Sequence, residues 1–448
     1  MKKFIDSFIN VWKIEELKNR ILLTLGLLLV YRFGAQVTLP GIDATKLSNL
    51  TDQTDGGIGW LINVFTGGAF SQASVFALGI MPYISASIVV QLMGIAVPYL
   101  QKLQKDGESG RKKINQITRW LTILITLVQG PGYIYNLYRT LPTDAFLLGV
   151  SSFSFLFSSV LILVTGTIFA MWLGEKITDK GIGNGISLLI MVGIIASMPQ
   201  AFIQEFLSRT TQANGSYMMI VIELILWFLV IIACILLVMA VRKIPVQYAR
   251  RTASGDFEQD MMGSRQFIPL KLNASGVMPI IFAQAIMFIP AAVSGLAKES
   301  DTAQSLAGMF NNPFGLVYNI VFALLIIIFT YFYTAITVPT NKMADDLKRS
   351  GGFIPGIRPG VETGDYLDKI MSLITFPGSL FLALIAVLPA IVVSLLNVQG
   401  AWGYFYGGTS LLIMVGVAID TIQQINSYLL NKHYDGLMKS GKNRKAVA

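Results

Sequence analysis

The chain alternates between long apolar stretches and shorter polar segments. Ten apolar stretches are each long enough to cross a bilayer, because about 20 helical residues span the ~30 Å of hydrocarbon. These predicted spans are residues 21–39, 74–97, 117–138, 152–174, 182–204, 217–241, 272–296, 316–338, 371–397 and 403–424. The pattern predicts an all-α polytopic membrane protein with ten transmembrane helices, since a helix satisfies its own backbone hydrogen bonds in lipid.

The positions of lysine and arginine orient these spans. With a cytoplasmic N-terminus, 29 of the 34 basic residues fall in segments on the inner side. An excess of Lys and Arg in cytoplasmic loops is the established orientation signal. Both termini are therefore predicted to be cytoplasmic. The net charge of +9 is then spread over loops that face anionic lipid, so it does not indicate a dedicated nucleic-acid-binding domain.

Ten spans divide into two halves of five, and an odd number of spans per half gives the halves opposite orientations. We predict a first half over 21–204 and a second half over 217–424, joined by an external hinge loop at 205–216. Inverted halves that enclose a central pathway are a common membrane architecture. Residues 1–20 are predicted to form a cytoplasmic amphipathic helix, and residues 425–448 a cytoplasmic tail.

A short motif recurs in the second span of each half. Residues 79–84 read Gly-Ile-Met-Pro-Tyr-Ile, and residues 276–281 read Gly-Val-Met-Pro-Ile-Ile. Chance similarity between apolar spans is an alternative that six positions do not exclude. Glycine and proline at corresponding positions of two halves nevertheless indicate where a functional site lies.

A ten-residue apolar segment, 56–65, precedes the second span and ends at Thr66-Gly67-Gly68. It is too short to cross a bilayer. One interpretation is an interfacial helix on the outer surface. We favour a re-entrant plug over 56–72, because non-helical backbone at membrane depth requires surrounding protein or a water-filled cavity. The predicted plug and hinge residues are Leu61, Ile62, Val64, Phe65, Gly67 and Gly68.

The sequence offers little catalytic or metal-binding chemistry. His433 is the only histidine, and Cys234 is the only cysteine and lies inside a span, so a His/Cys metal cluster or nucleophilic pair is not expected. Residues 181–185, Gly-Ile-Gly-Asn-Gly, lack the third glycine of a dinucleotide loop and follow a span instead of a strand. We therefore expect no cofactor, no metal and no enzymatic activity. Arg32, near the outer end of the first span, is expected to snorkel outward.

Several blocks of the sequence resemble the bacterial SecY family, which forms the central subunit of the Sec protein-translocation channel. They follow one another in order, and the resemblance covers nearly the whole chain. The blocks are Gly-Gly-Ala-Phe-Ser at 67–71, Phe-Ala-Leu-Gly-Ile-Met-Pro-Tyr-Ile-Ser-Ala-Ser at 76–87, Glu-Ser-Gly-Arg-Lys-Lys at 108–113, Met-Trp-Leu-Gly-Glu at 171–175, Gly-Ile-Gly-Asn-Gly-Ile-Ser at 181–187, Phe-Ile-Pro-Gly-Ile-Arg-Pro-Gly at 353–360 and Gly-Gly-Thr-Ser-Leu-Leu-Ile at 407–413.

The resemblance implies a channel with a constriction of aliphatic side chains at its centre. On the matching positions this pore ring is Ile80, Ile84, Ile190, Ile281 and Ile413. A closed ring of isoleucines excludes water and small solutes, because these side chains cannot coordinate an ion. The resemblance also implies a lateral gate between spans 2 and 3 and spans 7 and 8. Gln91 and Asn273 match gate positions, where amides commonly join helices.

Two long cytoplasmic loops, 242–271 and 339–370, are the docking sites that the resemblance implies for the ribosome and the SecA motor. Arg250, Arg251 and Arg358 are the candidate contacts, because arginine suits bidentate capture of carboxylate or phosphate. A basic loop lying on anionic lipid is an equally good interpretation of Arg250 and Arg251.

Within the first of these loops, residues 245–250 and 267–272 predict a short hairpin. Residues 255–262 between them depart from the more basic family pattern.

The function implied is a protein-conducting channel that moves unfolded secretory polypeptides across the bacterial cytoplasmic membrane and releases hydrophobic segments into lipid. The implied partners are the SecE and SecG subunits, the SecA motor ATPase, the ribosome, signal sequences, unfolded preproteins and membrane lipids. The alternative is a secondary transporter for a small solute, which inverted repeats also build. Transporters usually place charged or unwound ligating groups at the midplane, whereas this constriction is predicted to be aliphatic.

Overall fold

The computed structural model describes residues 12, 14–47, 63–146, 152–211, 217–248, 266–296, 312–396, 398 and 400–445. This part of the chain contains twelve helices of eight or more residues and three short strands. In chain order they are α1 (Glu15–Gly34), α2 (Met81–Ala96), α3 (Pro98–Lys105), α4 (Gly107–Thr140), α5 (Ser152–Lys180), α6 (Gly185–Thr211), α7 (Tyr217–Met239), β1 (Val241–Tyr248), β2 (Gln266–Lys271), α8 (Met278–Leu296), α9 (Leu316–Thr337), α10 (Thr340–Arg349), β3 (Gly352–Phe353), α11 (Val361–Leu396) and α12 (Gly408–Lys445).

Each predicted span overlaps one of the longer helices. Six helical segments in the described residues are long and apolar enough to cross a membrane, namely α5, α6, α7, α9 continued through α10, α11 and α12. The α2–α3 pair, which bends by 101° at its break, would be a seventh if counted as one span. The protein is therefore a mostly helical polytopic membrane protein, and a full set of ten crossings stays a prediction.

The chain forms two compact units. The first comprises Met1–Gly215, Gln399–Trp402 and Val417–Ala448, and the second comprises Ser216–Val398 and Gly403–Gly416. The division near residue 215 lies at the end of the predicted hinge loop. Residues 417–424 of α12 belong to the first unit, whereas the sequence pattern assigned them to the second half.

The first unit has its largest described apolar cluster between the connection that follows α1, the turn before α2 and the helices α4 and α5. Leu39, Ala77, Ile134 and Leu163 in this cluster are at most 1% exposed. Helix α5 approaches the turn closely, since an added Cβ at Gly166 would lie 2.2 Å from the Val75 carbonyl oxygen. The cluster thus fixes the backbone that leads into α2.

The second unit includes a three-stranded antiparallel sheet with strand order β2-β1-β3. Residues Ile244 and Val246 of β1 are buried and alternate with exposed Lys243 and Pro245, the two-residue period of a strand with one covered face. Strands β1 and β2 pair from Val241 opposite Lys271 onward. The hairpin prediction is confirmed, and the all-α prediction is wrong to the extent of this sheet.

Three predicted boundaries differ from the structure. Residues 205–211 of the predicted hinge loop continue α6, where Glu205 and Arg209 form an ion pair one helical turn apart at 2.8 Å. Residues 15–20 of the predicted amphipathic helix are the first turns of α1, while residues 1–11 of that helix lie outside the described residues. The predicted tail after residue 424 continues α12 without a break.

Candidate functional site

The predicted plug, residues 56–72, contains a turn that is built on two glycines. Residues 63–66 are helical, and Gly67 and Gly68 then adopt left-handed φ values of +67° and +90°. These values favour glycine, which lacks the Cβ that clashes in this region. Val64 and Phe65 are buried, while Leu61 and Ile62 lie outside the described residues. The glycine hinge is therefore supported by its geometry, and the plug itself stays a prediction.

Local hydrogen bonds fold residues 63–71 into a compact turn. The Asn63 side-chain oxygen accepts the Ser71 backbone N–H at 3.0 Å, and the Asn63 carbonyl accepts the Gly68 N–H at 2.8 Å. The Thr66 hydroxyl accepts the Phe70 N–H at 3.2 Å. Together these bonds satisfy backbone donors that an irregular segment would otherwise leave unpaired at membrane depth.

Arg32 of α1 contacts this turn directly. Its half-buried guanidinium donates through Nη1 to the Gly67 carbonyl. This peptide carbonyl satisfies one of the five N–H donors of the guanidinium, and the outward snorkelling of Arg32 stays a prediction. Gly193 of α6 also comes close to the turn, since its added Cβ would lie 3.0 Å from the Phe65 carbonyl oxygen.

The turn after the glycines is fixed to the unit by further bonds. The Tyr133 hydroxyl of α4 donates to the Phe70 carbonyl at 2.8 Å. The Leu39 N–H donates to Ala73 at 2.8 Å, and the Val75 N–H donates to Val37 at 2.9 Å. These partners come from α4 and from the connection after α1, so the chain beyond residue 69 is held at several points.

A polar cavity of about 720 Å³ lies beside the glycine turn. It is lined by residues of the connection after α1, the turn itself and α6. Arg32 is the charged residue of this lining, and Gln36, Asn63, Gln200 and Gln204 contribute amides. A cavity of this size and polarity holds many waters. The plug residues Val64 and Gly67 thus border a wet space on one side.

Asp43 precedes the single helical turn Ala44–Lys46, whose first two residues line this cavity. The hydroxyl and N–H of Thr45 donate to the Asp43 carboxylate at 2.7 and 3.0 Å. These hydrogen bonds lower the pKa of Asp43, because they stabilise the ionised form. Asp43 is partly exposed and remains charged at neutral pH.

The two copies of the repeated motif have the same backbone geometry. Gly79 and Gly276 have left-handed φ values of +51° and +63°, and α2 and α8 begin two residues later at Met81 and Met278. Each helix has proline as its second residue, a position where the missing N–H costs nothing. The predicted spans at 74–97 and 272–296 are consequently non-helical up to these methionines, which hydropathy alone does not reveal.

Hydrogen bonds around the two turns also correspond. The Gly79 N–H donates to Phe76 at 2.8 Å, and the Gly276 N–H donates to Asn273 at 3.4 Å. The N–H groups of Ile84 and Ile281 each donate to a residue four positions earlier. The shared geometry makes chance similarity a poor explanation of the motif, and it puts these two isoleucines at equivalent helical positions.

The proposed pore-ring residues lie on four helices or their caps. Ile80, Ile190 and Ile413 are at most 4% exposed, while Ile84 and Ile281 are partly exposed. Ile80, Ile84 and Ile190 belong to the first unit, and Ile281 and Ile413 belong to the second. Their convergence in one ring stays a prediction.

The two gate amides form hydrogen bonds within their own segments. Gln91 donates through Nε2 to the Ser87 hydroxyl of the same helix at 3.1 Å. Buried Asn273 accepts the Ser275 hydroxyl at 3.2 Å. The gate role of both residues stays a prediction.

Sequence reasoning missed a buried pair between α8 and α9. The Gln284 side chain donates to the Tyr318 hydroxyl at 3.2 Å, and this bond joins the helices of the predicted seventh and eighth spans. An amide inside a predicted span was the available signal. Arg32 was noticed in the sequence, but its carbonyl partner 35 residues away was not apparent.

The two predicted docking loops fold together in the second unit. Ile244 and Leu270 of the sheet pack with Leu347 of α10 and with Leu367 and Met371 of α11. The segment that follows β3 carries Arg358, whose side chain is 87% exposed and lies 3.8 Å from the Glu362 carboxylate. Arg250 and Arg251 lie outside the described residues.

The glycine-rich loop between α5 and α6 has its backbone donors occupied by side chains. The Ile182 N–H donates to the Thr24 hydroxyl at 3.1 Å, the Gly183 N–H to Gln424 at 2.9 Å and the Gly185 N–H to Thr178 at 2.9 Å. Phosphate binding requires free N–H groups. Because these three N–H groups are already hydrogen-bonded, the loop connects helices and is not a phosphate site. Among the residues that the structure describes, no group of three His, Cys, Asp or Glu side chains is arranged to hold a metal.

Comparison with known proteins gives consistent matches over most of the chain. A SecY family model matches residues 74–422. The chain is 41% identical over 426 residues to the protein translocase subunit SecY of Haemophilus influenzae, covering 95% of this chain and 94% of that protein. It is 38% identical over 426 residues to the subunit of the same name in Escherichia coli K12, with the same coverage.

Solved structures show a similar fold. A structure described as a protein conducting channel matches with a TM-score of 0.59 at 18% identity, covering 91% of each chain. Sec61 in the canine ribosome-channel complex matches with a TM-score of 0.56 at 17% identity, also over 91% of each chain.

Proposed function

Because this chain belongs to the SecY family, we propose that it is the central subunit of a protein-conducting channel. It moves unfolded secretory polypeptides across the bacterial cytoplasmic membrane and releases hydrophobic segments sideways into lipid. The observation that carries this proposal is the match to translocase subunits over almost the entire chain. The alternative of a small-solute transporter is not favoured by that match.

The proposed architecture has ten transmembrane helices in two inverted halves around a central pore, with both termini cytoplasmic. The overlap of each predicted span with a helix supports it. So do the charge distribution and the common geometry of the turns at Gly79 and Gly276. A five-span half inverts the direction of every following helix, so equivalent turns of the two halves approach the membrane from opposite sides.

The closed pore has two barriers in this proposal. The isoleucine ring excludes water and ions, because a narrow aliphatic constriction dewets. The plug then covers the ring from the outer side, where the cavity beside Gly67 provides water-filled space for it to move. A passing polypeptide requires no specific partner, so side chains without hydrogen-bonding groups suit the constriction.

The proposed lateral gate uses hydrogen bonds that exchange easily. Amide bonds between membrane helices contribute about 0.6–2 kcal/mol. Gln91 and Asn273 are the predicted gate amides, and the Gln284–Tyr318 bond holds α8 and α9 together as a pair that moves as one body. A hydrophobic signal segment that enters between the halves replaces such weak bonds with apolar packing.

The proposed partners act on the cytoplasmic side. The sheet, α10 and the exposed Arg358 form a surface for the ribosome and the SecA motor, which supply the driving force that this chain lacks. SecE and SecG are the proposed membrane subunits of the complex. Lipid remains in contact with the exposed apolar faces of the spans.

A site-specific crosslink tests the polypeptide path. Single cysteines at Ile84 and Ile281 are placed in a Cys234→Ser background, and a secretory polypeptide with one cysteine is stalled in mid-transit. We expect disulfides from both ring positions and none from a cysteine at lipid-exposed Trp120, whose side chain is 72% exposed. An engaged substrate that crosslinks to neither ring position would contradict the ring assignment.

A further inference from the structure

The contact between Arg32 and Gly67 joins a charged residue of the first span to the hinge of the predicted plug. The guanidinium is half-buried, and its described hydrogen bond is to the Gly67 carbonyl. Removing a guanidinium from water is costly unless its donors are satisfied. A charged donor also strengthens the bond to a neutral carbonyl roughly twofold over an ordinary one.

Packing around the two hinge glycines shows that only the first is enclosed. An added Cβ at Gly67 would lie 2.8 Å from Arg32 Nη1 and 2.8 Å from the Cα atom of Gly193. The same addition at Gly68 would meet no atom within 4 Å. Gly67 is therefore held between α1 and α6, whereas Gly68 has free space around it.

Gly67 lies where the predicted plug segment joins a turn that is fixed to the rest of the unit. Beyond residue 69, Tyr133 and the backbone bonds to residues 37 and 39 hold this turn. Inside the turn, the Thr66 hydroxyl donates to the Asn63 carbonyl, and the Asn63 side chain accepts the Ser71 N–H. The Arg32 bond thus connects α1 to the point where the plug segment enters the turn.

We propose that Arg32 is a positioning residue that latches the plug in its closed place through the Gly67 carbonyl. This inference rests on the proposed function as a plugged channel. The adjoining polar cavity makes the latch reversible, because a released guanidinium exchanges the carbonyl for water there. Loss of the latch shifts the closed–open equilibrium toward the open channel, even with no substrate bound.

Ion leak through the resting channel measures this equilibrium. Full-length variants are compared in membrane vesicles by the rate at which an imposed potassium gradient collapses. A charged hydrogen bond of ordinary strength predicts a roughly tenfold or larger increase in open population for Arg32→Leu. Arg32→Lys, which keeps a charged donor, should leak clearly less than Arg32→Leu. Arg139→Leu, an exposed arginine of α4 stacked on Tyr135, is the control that should leave the leak unchanged.

A glycine pair provides a second arm that leaves Arg32 intact. Gly67→Ala and Gly68→Ala both place a side chain at a left-handed φ, so their backbone strain is similar. Only Gly67→Ala displaces the guanidinium and Gly193, and only this variant should leak. Equal leaks from the two alanine variants would overturn the latch in favour of simple hinge strain.

Deletion of residues 56–66 separates failure of the latch from failure of the plug proposal. If the deletion leaks and Arg32→Leu does not, the plug exists and the latch is wrong. If neither leaks, the plug proposal itself fails.

Translocation of a precursor with a defective signal sequence should rise with Arg32→Leu and fall back with Arg32→Lys. Chain abundance in the vesicles normalises every rate, and a variant with no detectable chain is replaced by the Gly67→Ala arm.

Discussion

Glu205 and Arg209 form an ion pair near the end of α6, with side chains only 2% and 15% exposed. The pair keeps residues 205–211 helical where the sequence pattern predicted a loop. Leaving one partner of a buried pair uncompensated is far more costly than breaking an exposed pair. The chain contains a matched exposed pair at the same spacing, Glu108–Lys112, with side chains 85% and 77% exposed.

Neutralising these two glutamates should therefore have different effects. We expect Glu205→Gln to lower the free energy of unfolding by about 1.5–3 kcal/mol, because it weakens a charge-assisted hydrogen bond between two largely buried side chains. Glu108→Gln should cost less than about 1 kcal/mol. The thermal midpoint of the detergent-solubilised protein is the measurement. Equal midpoints for the two variants would show that burial of the pair contributes nothing.

The partners of single residues were the least predictable feature of the site. The guanidinium of Arg32 and the carbonyl of Gly67 are 35 positions apart, so their contact depends on how α1 and the plug turn pack. A sequence shows where a charge lies, but it does not show which carbonyl comes within reach. The contact of Arg32 with the plug turn was not predicted for this reason.

Among the elements, helix existence was predictable and helix starts were not. Hydropathy located α2 and α8, because a span of that length must be apolar. It extended both helices backward through Gly79 and Gly276, since hydropathy carries no information on φ. The glycine and proline of each motif were the available signal for the true starts.

The three-stranded sheet was predicted only as a hairpin. Its third strand, β3, comes from the other long loop and pairs through Gln247 opposite Phe353. Such a non-local pairing leaves no local sequence pattern. The result is one packed body made from two loops that the sequence treats as separate.

Because the two loops pack together, we predict that one buried side chain protects both of them from proteolysis. Leu270 is 4% exposed and faces the cluster with α10 and α11, whereas Phe267 of the same strand is 54% exposed. Leu270→Ala should cost about 2–5 kcal/mol of local stability. We expect limited proteolysis to cleave both loops at least tenfold faster in Leu270→Ala, with little change in Phe267→Ala. Faster cleavage of the first loop alone would show that the loops are independent.

At the scale of the whole molecule, the closed channel must satisfy two opposite demands. It has to block ions while remaining close in free energy to an open state. In the proposed architecture, weak and exchangeable contacts would meet both demands: aliphatic packing in the predicted ring, single amide bonds at the predicted gate and one charged bond at the predicted plug. The excess of basic residues in the predicted inner segments sets the orientation of the chain. With the opposite orientation, the predicted plug, gate and docking surface would face the wrong compartments.

Surface labelling tests directly which side of the membrane each predicted loop faces. Single cysteines replace exposed Lys46 and Arg139 on the predicted outer side, and Lys112 and Arg358 on the inner side, all with Cys234→Ser. A membrane-impermeant maleimide applied to intact cells should label the first two and not the last two. Detergent should then make all four reactive.

The predicted side of each position follows from the number of spans before it. A cysteine that is labelled from the unexpected side therefore identifies the segment whose crossing was wrongly predicted. If Lys46 is labelled and Arg139 is not, an odd number of crossings separates the two. The predicted passage of α2 and α4 through the bilayer would then be wrong. Labelling of Arg358 from outside would instead reverse the second half, and the docking surface would no longer face the cytoplasm that holds the ribosome and the motor.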